Sequence, residues 1–144
     1  MPVWSGELYF EMHRGTLTSQ ANTKVGNRRC EALLREAELW WASAGQLGDG
    51  VPERVTHELD RLWKDVLLQQ FHDIIPGSSI TWVYEDSERE HARIIARLEE
   101  LIAEALALLA VEQPTVANAA THPRKEVITV DFPPPGRSIT QELH

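Results

Sequence analysis

Hydrophobic and polar positions recur with helical spacing through the middle of the chain. From residue 30 to residue 47, apolar side chains return every three or four positions and charged side chains fall between them. This spacing predicts a first helix from Ser19 or Gln20 to Gln46, with Ser19 as its N-cap and the turn-forming residues 48–50 after its end. Its predicted inward stripe is Cys30, Leu33, Leu34, Ala37, Trp40, Trp41, Ala44 and Leu47.

Two further amphipathic stretches follow. Pro52 suits the first turn of a helix, and Pro76 disfavours helical geometry in the residue before it, so a second helix is predicted from Pro52 to residues 71–75. A third helix is predicted from about Ser78 to Ala110. The predicted inward residues are Val55, Leu59, Leu62, Trp63, Val66, Leu67 and Gln70 in the second helix, and Ile80, Val83, Tyr84, His91, Ile94, Ile95, Leu98, Leu101, Ile102, Ala105 and Leu109 in the third.

Three amphipathic helices joined by short connections can bury their stripes only against one another. The predicted fold is therefore all-α, an antiparallel three-helix bundle with short extended segments at both ends. The bundle is expected to occupy residues 19–112, and residues 1–18 are expected to lead into it. Residues 127–132 form a strand candidate without a partner strand, and a single strand is unstable alone. Residues 113–144 are therefore predicted to begin a truncated β domain.

Charge and composition narrow the classes of protein. The chain has 144 residues and a formal net charge of −8, and most of the acidic excess lies in the predicted bundle. An acidic balance argues against nucleic-acid binding, and no run reaches the roughly 18 apolar residues that a membrane helix needs. Cys30 is the only cysteine, which excludes an intrachain disulfide. Together with an N-terminus unlike a signal peptide, it favours a cytoplasmic location.

One histidine lies where reactive chemistry is conceivable. His72 is followed by Asp73 at the point where the second helix must end before Pro76. A neutral imidazole there could bind a metal, and the carboxylate could accept hydrogen bonds from a hydroxylated ligand. Spacing alone leaves a second interpretation open, in which His72 caps the last carbonyls of the helix and Asp73 caps the next turn.

Other candidate residues are better explained by packing. His57 would lie about 22 Å from His72 along a straight helix, too far to share a metal ion. His91 falls on the apolar stripe of the third helix, and Cys30 falls on that of the first. For Trp40 and Trp41, sugar stacking is an alternative to a core role for one ring with partial exposure of the other.

Longer motifs add a resemblance to a known family. Residues 6–21 (GELYFEMHRGTLTSQA), the pattern KxxNRR at 24–29, LLREAE at 33–38 and residues 62–80 (LWKDVLLQQFHDIIPGSSI) are similar to alpha-mannosidases of glycoside hydrolase family 38. The resemblance covers about residues 3–130, a small part of a family member. It implies a three-helix middle domain between a catalytic α/β domain and large β domains, so that residues 1–18 would be either the tail end of the catalytic domain or the lead-in to the middle domain. It gives His13, Arg14 and Thr16 no more than a supporting role.

The resemblance also implies chemistry. Family members hydrolyse terminal alpha-linked mannose with retention, using two carboxylates about 5 to 5.5 Å apart. A zinc ion held by two histidines and two aspartates binds the sugar hydroxyls, and the matching positions here are His72 as a zinc ligand and Asp73 as a sugar contact. The expected partners are an alpha-mannoside or mannose-containing glycan and the catalytic and β domains of the parent enzyme. Homo-oligomerisation is left open.

Two hypotheses for the 144-residue chain remain after the resemblance. The first is a segment of a zinc-dependent alpha-mannosidase that is inactive alone, because the other zinc ligands and both catalytic carboxylates would lie in the catalytic domain. The second is a free-standing helical interaction module without catalytic activity.

Overall fold

The described part of the chain folds into three long helices. The computed structural model describes residues 3, 5, 15–110, 116–125 and 127. The helices are α1 (Ala21–Leu47), α2 (Glu53–Gln69) and α3 (Thr81–Leu109). Within the described ranges there is no strand, so the expected all-α class is confirmed.

Side-chain contacts between the helices establish their directions. Along α2, Arg54 pairs with Glu104 near the end of α3, whereas Asp65 pairs with Arg93 much nearer its start. These two helices therefore run antiparallel. Trp63 Nε1 donates to Glu38 Oε1 at 2.7 Å. The short connection of residues 48–52 likewise turns α2 back along α1, so the up-down-up bundle that periodicity predicts is confirmed.

A single apolar core joins the three helices. Fourteen buried side chains form it, and burying each large aliphatic one contributes about 1.5 to 3 kcal/mol. Three residues of the predicted stripes, Leu47, Leu67 and Ile80, are exposed instead. Leu47 is the last residue of α1, and Ile80 precedes α3. Leu67 follows the buried Val66 and is rotated about 100° from it around the helix.

The helix ends differ from the predicted ones. Ser19 is not the N-cap of α1, because Gln20 occupies that position in the left-handed backbone region, with φ 49° and ψ 54° and no capping side chain. The hydroxyl of Ser19 instead donates to the carbonyl of Pro76 at 3.2 Å. The second helix ends at Gln69, earlier than predicted, and separate turns continue from there toward Pro76.

The first and third helices pack closely at Gly26. A Cβ atom at this position would lie 2.8 Å from the ring of His91, so only glycine allows the contact. Gly26 is unfavourable within a helix by about 1 kcal/mol relative to alanine. The close packing of the His91 ring explains why it occurs there.

Some expectations fall on parts of the chain that the structure does not describe. The extended segment at residues 7–12 and the strand at residues 128–132 lie outside the described residues, and so do most of the flanking regions 1–18 and 113–144. Val127, which is described, is exposed and has no regular secondary structure. Across the described residues, no helix combines the length and apolar character required to cross a bilayer.

Candidate functional site

The segment between α2 and α3 folds into consecutive tight turns. The amides of Ile74 and Ile75 donate to the carbonyl of Phe71 at 2.8 and 3.1 Å, and the amide of Gly77 donates to the carbonyl of Ile74 at 3.1 Å. We call residues 71–79 the turn segment. Its backbone leaves helical geometry before Pro76, so both sequence-predicted site residues lie in turns at one end of the bundle.

His72 and Asp73 are exposed next to each other in the turn segment. The side chain of His72 is 78% accessible and that of Asp73 is 55% accessible, and His72 Nε2 lies 3.5 Å from Asp73 Oδ2. The imidazole also lies against the ring of Phe71, with 4.2 Å between the ring centroids. One imidazole and one carboxylate are thus presented together to the outside of the bundle.

The capping interpretation of these two residues receives no support. Among the described residues, neither side chain makes a hydrogen bond to the carbonyls of α2 or to the following turn, and their ion-pair contact is with each other. The last turn of α2 is closed by the backbone amide of Gln70, which donates to carbonyls of that turn. Both side chains are therefore available to a ligand.

The bundle holds the turn segment through Tyr84 and Ser19. Tyr84 lies in the first turn of α3 and is only 5% exposed. Its hydroxyl accepts a hydrogen bond from the Ser79 amide at 2.7 Å and donates to the Asp73 carbonyl at 3.4 Å. Gly77 has φ +90°, a backbone conformation that favours glycine. A Cβ atom there would also lie 2.1 Å from Ser19 Oγ, so the close approach of residues 19 and 77 requires glycine.

A polar cluster fixes the start of the turn segment against α1. Gln70 Nε2 donates to Asn27 Oδ1 and to Glu31 Oε1, both at 2.9 Å. Asn27 Nδ2 donates to the same carboxylate oxygen at 3.1 Å. These partly buried bonds tie the end of α2 to α1 directly before Phe71 and His72. Together with the Tyr84 and Ser19 contacts, they hold both ends of the turn segment.

The exposed imidazole of His72 and carboxylate of Asp73 are groups that can bind a zinc ion. Zinc in proteins is bound by imidazole nitrogens, thiolates and carboxylate oxygens, usually four ligands in a tetrahedron. His72 offers an accessible imidazole of the right kind. In the parts of the chain that the structure describes, however, no three histidine, cysteine, aspartate or glutamate side chains converge. His72 and Asp73 could therefore make up only a minority of the ligands of such a site.

The remaining candidates have structural explanations. His57 is exposed on α2 beside Glu53, whereas His91 is buried on α3. Burial raises the pKa of the Cys30 thiol to about 11, so at neutral pH it is the protonated thiol of a core residue. Trp41 is buried and Trp40 is partly exposed, as the packing interpretation of this pair predicts.

Sequence reasoning did not find the residues that hold the site. The pattern predicts that Tyr84 and Gln70 face inward, but it does not predict the bonds of Tyr84 to the turn segment or those of Gln70 to α1, and it assigns Ser19 to a helix cap. A signal is present for Tyr84 and Gln70, because a tyrosine or glutamine on a buried stripe needs a hydrogen-bond partner. The partners of Tyr84 lie 5 and 11 residues before it, whereas those of Gln70 lie on α1, 43 and 39 residues away.

Comparisons with known proteins identify the family to which the bundle belongs. Residues 11–109 match the family model described as "Alpha mannosidase middle domain". Alpha-mannosidase G of Dictyostelium discoideum is 44% identical over 103 residues, which are 72% of this chain and 9% of that protein. An alpha-mannosidase of Saccharomyces cerevisiae is 47% identical over 85 residues, 59% of this chain and 8% of that protein.

A human relative matches more of the chain. Alpha-mannosidase 2C1 of Homo sapiens is 34% identical over 139 residues, which cover 93% of this chain and 13% of the human protein. The chain thus spans about a tenth of the length of the curated relatives that it matches. It belongs to the alpha-mannosidase middle domain family, which confirms the resemblance seen in the sequence motifs.

Proposed function

We propose that this chain is the middle-domain part of a zinc-dependent, retaining alpha-mannosidase that removes terminal alpha-linked mannose. In that enzyme His72 is a zinc ligand and Asp73 contacts a sugar hydroxyl. The catalytic domain supplies the other zinc ligands, the nucleophile and the general acid. The substrate is an alpha-mannoside or mannose-containing glycan.

The observation that carries the proposal is the exposure of two neighbouring ligand groups on an anchored backbone. His72 and Asp73 are both more than half accessible, although they lie among turns held by Tyr84, Ser19 and Gln70. These contacts hold the backbone that carries the two ligand groups. Family membership supports the same conclusion, because the similar proteins from three organisms all carry the name alpha-mannosidase.

The roles of the two side chains follow from their chemistry. A neutral imidazole donates a nitrogen lone pair to zinc, and an ionised carboxylate accepts hydrogen bonds from hydroxyl groups of a sugar. A zinc ion bound there would hold sugar hydroxyls and so assist distortion of the ring. This chain binds and orients the sugar, while the carboxylates of the catalytic domain carry out the displacement.

A domain exchange tests the proposal. The segment of the S. cerevisiae alpha-mannosidase that matches this chain is replaced by residues from this chain, and zinc content and hydrolysis of a nitrophenyl alpha-mannoside are measured. We expect the exchanged enzyme to be active and His72→Ala to lose most of its zinc and activity. Asp73→Asn is expected to keep zinc and to raise KM or lower kcat, because it weakens only the sugar contact.

Two controls make the exchange decisive. His57→Ala removes an exposed imidazole from α2, distant from the turn segment, and should leave zinc content and activity unchanged. The 144-residue chain alone should not hydrolyse the substrate. Turnover by the isolated chain that His72→Ala abolishes would contradict the proposal that the catalytic domain supplies the nucleophile and the general acid. Full zinc content in the exchanged enzyme with His72→Ala would rule out the ligand role of His72.

A further inference from the structure

One buried side chain of α3 contacts the backbone of the turn segment at two separated points. Tyr84 is 5% exposed, and its hydroxyl contacts both the Asp73 carbonyl and the Ser79 amide. A phenol hydroxyl has one donor hydrogen and two acceptor lone pairs, so it can make both bonds at once. The two contacts close the turn segment into a loop across residues 73–79.

We propose that Tyr84 is a positioning residue for the His-Asp pair. Its hydroxyl is held by the Ser79 amide and contacts the Asp73 carbonyl, and together these contacts set the direction in which His72 and Asp73 leave the bundle. The inference deepens the proposed function and rests on it, because a fixed direction matters only where these side chains meet a ligand. Tyr84 itself touches neither the proposed zinc nor the sugar.

The geometry explains why a tyrosine is needed rather than another large side chain. The ring of Tyr84 is buried in the bundle at the first turn of α3, and its hydroxyl contacts the turn segment. The 2.7 Å bond from the Ser79 amide lies at the short end of the usual range, whereas the 3.4 Å contact to Asp73 is long for a hydroxyl donor. The Ser79 bond should therefore contribute more, and it positions the hydroxyl for the weaker contact.

The other anchors hold different points of the segment. Ser19 contacts Pro76, and Gln70 fixes the residue before the segment begins. Neither of them bonds to the backbone of His72 or Asp73. Loss of the Tyr84 hydroxyl should thus loosen the ligand-bearing half of the segment and leave the bundle folded.

Tyr84→Phe tests this in the 144-residue chain, since it removes one oxygen and keeps the ring. We expect amide exchange at Ser79 to accelerate about five- to tenfold, the change that follows from losing one hydrogen bond. The ring-proton shifts of His72, which lies against Phe71, should move toward solvent values in NMR spectra. In the exchanged enzyme described above, Tyr84→Phe should weaken zinc binding severalfold.

Ser87→Ala is the matched control. It removes a buried hydroxyl from the same helix, and this hydroxyl has no hydrogen-bond partner among the described residues. We expect it to leave Ser79 exchange, His72 shifts and zinc affinity as in the wild type. Equal melting temperatures of the two variants would separate positioning from stability.

Three outcomes would overturn the inference. Unchanged Ser79 exchange and His72 shifts in Tyr84→Phe would show that the hydroxyl does not hold the segment. Unchanged zinc affinity despite altered His72 shifts would show that the Tyr84 contacts do not affect zinc binding by His72. If Tyr84→Phe fails to fold, the wild-type chain decides: a Ser79 amide that exchanges as fast as the Ser78 amide, which has no acceptor among the described residues, would overturn the inference. Failure of the ligand role itself would appear separately, as zinc retention in His72→Ala.

Discussion

At the scale of single residues, His91 is an ionisable group placed where its charge would be costly. It is 2% exposed on α3, and neither ring nitrogen has a hydrogen-bond partner among the described residues. Burial lowers the pKa of the imidazole below its ordinary value of 6.5, although the carboxylates of Glu90 and Glu88 act in the opposite direction. The groups that face it from α1, Gly26 and Cys30, carry no charge at neutral pH.

This placement predicts that the bundle loses stability in mild acid. Below pH 6.5 the unfolded chain binds a proton at this histidine that the folded chain resists, so the free energy of unfolding should fall as pH decreases toward 5 and should not change through His91 above 6.5. Each unit of pKa difference corresponds to about 1.4 kcal/mol. His91→Leu should show a flatter dependence in urea unfolding between pH 7.5 and pH 5.

His57→Gln provides the comparison for the His91 prediction. It removes an exposed histidine, so the pH dependence of unfolding should stay close to that of the wild type. If His91→Leu retained the full acid sensitivity of the wild type, the loss of stability would have to come from other groups.

At the scale of helices, one arginine joins α2 and α3 with two parallel bonds. Arg97 Nε and Nη2 contact Glu58 Oε1 and Oε2 at 2.7 and 2.8 Å, and both side chains are largely shielded from solvent. The hydrogen bond from Arg97 is the main reason that the pKa of Glu58 is lowered. A lysine cannot make this two-pronged contact because it has a single nitrogen.

Arg97→Lys is therefore expected to reduce the free energy of unfolding by about 0.5 to 1 kcal/mol, measured by urea at low salt. Arg89→Lys is the matched control, because Arg89 is exposed and pairs with Asp86 of its own helix. The difference in unfolding free energy between Arg97→Lys and this control should become smaller in high salt. Equal effects of the two substitutions would show that the pairing across α2 and α3 adds nothing to stability.

Helix existence could be predicted from the sequence, but helix ends and site anchors could not. Periodicity summed over many residues predicted three helices and most of the core, because a single mismatch such as Leu67 changes the pattern little. The end of a helix, in contrast, depends on only one or two hydrogen bonds. The hydroxyl of Ser19 bonds to the carbonyl of Pro76, 57 residues away in sequence, so the local pattern cannot predict this pairing. For His72, spacing left metal binding and capping open, and only the turn geometry showed the side chain to be exposed.

At the scale of the whole molecule, apolar side chains remain exposed at the end that carries His72. Four large ones lie between residues 68 and 82, and each exposes half or more of its surface. They are Leu68, Phe71, Ile80 and Trp82. Exposed apolar surface of this kind commonly marks an interface. In a longer alpha-mannosidase it would face the neighbouring domains, and in the 144-residue chain it is open to a second copy.

We therefore expect the chain to self-associate as its concentration rises, with sedimentation velocity showing a shift from monomer to larger species. Trp82→Ser should weaken this association, because it removes the most exposed of the four apolar side chains. Leu108→Ser is the matched control: Leu108 is similarly exposed but lies near the opposite end of α3, and its substitution should leave association unchanged. Monomeric behaviour of the wild type at all concentrations would show that this end of the bundle does not mediate self-association.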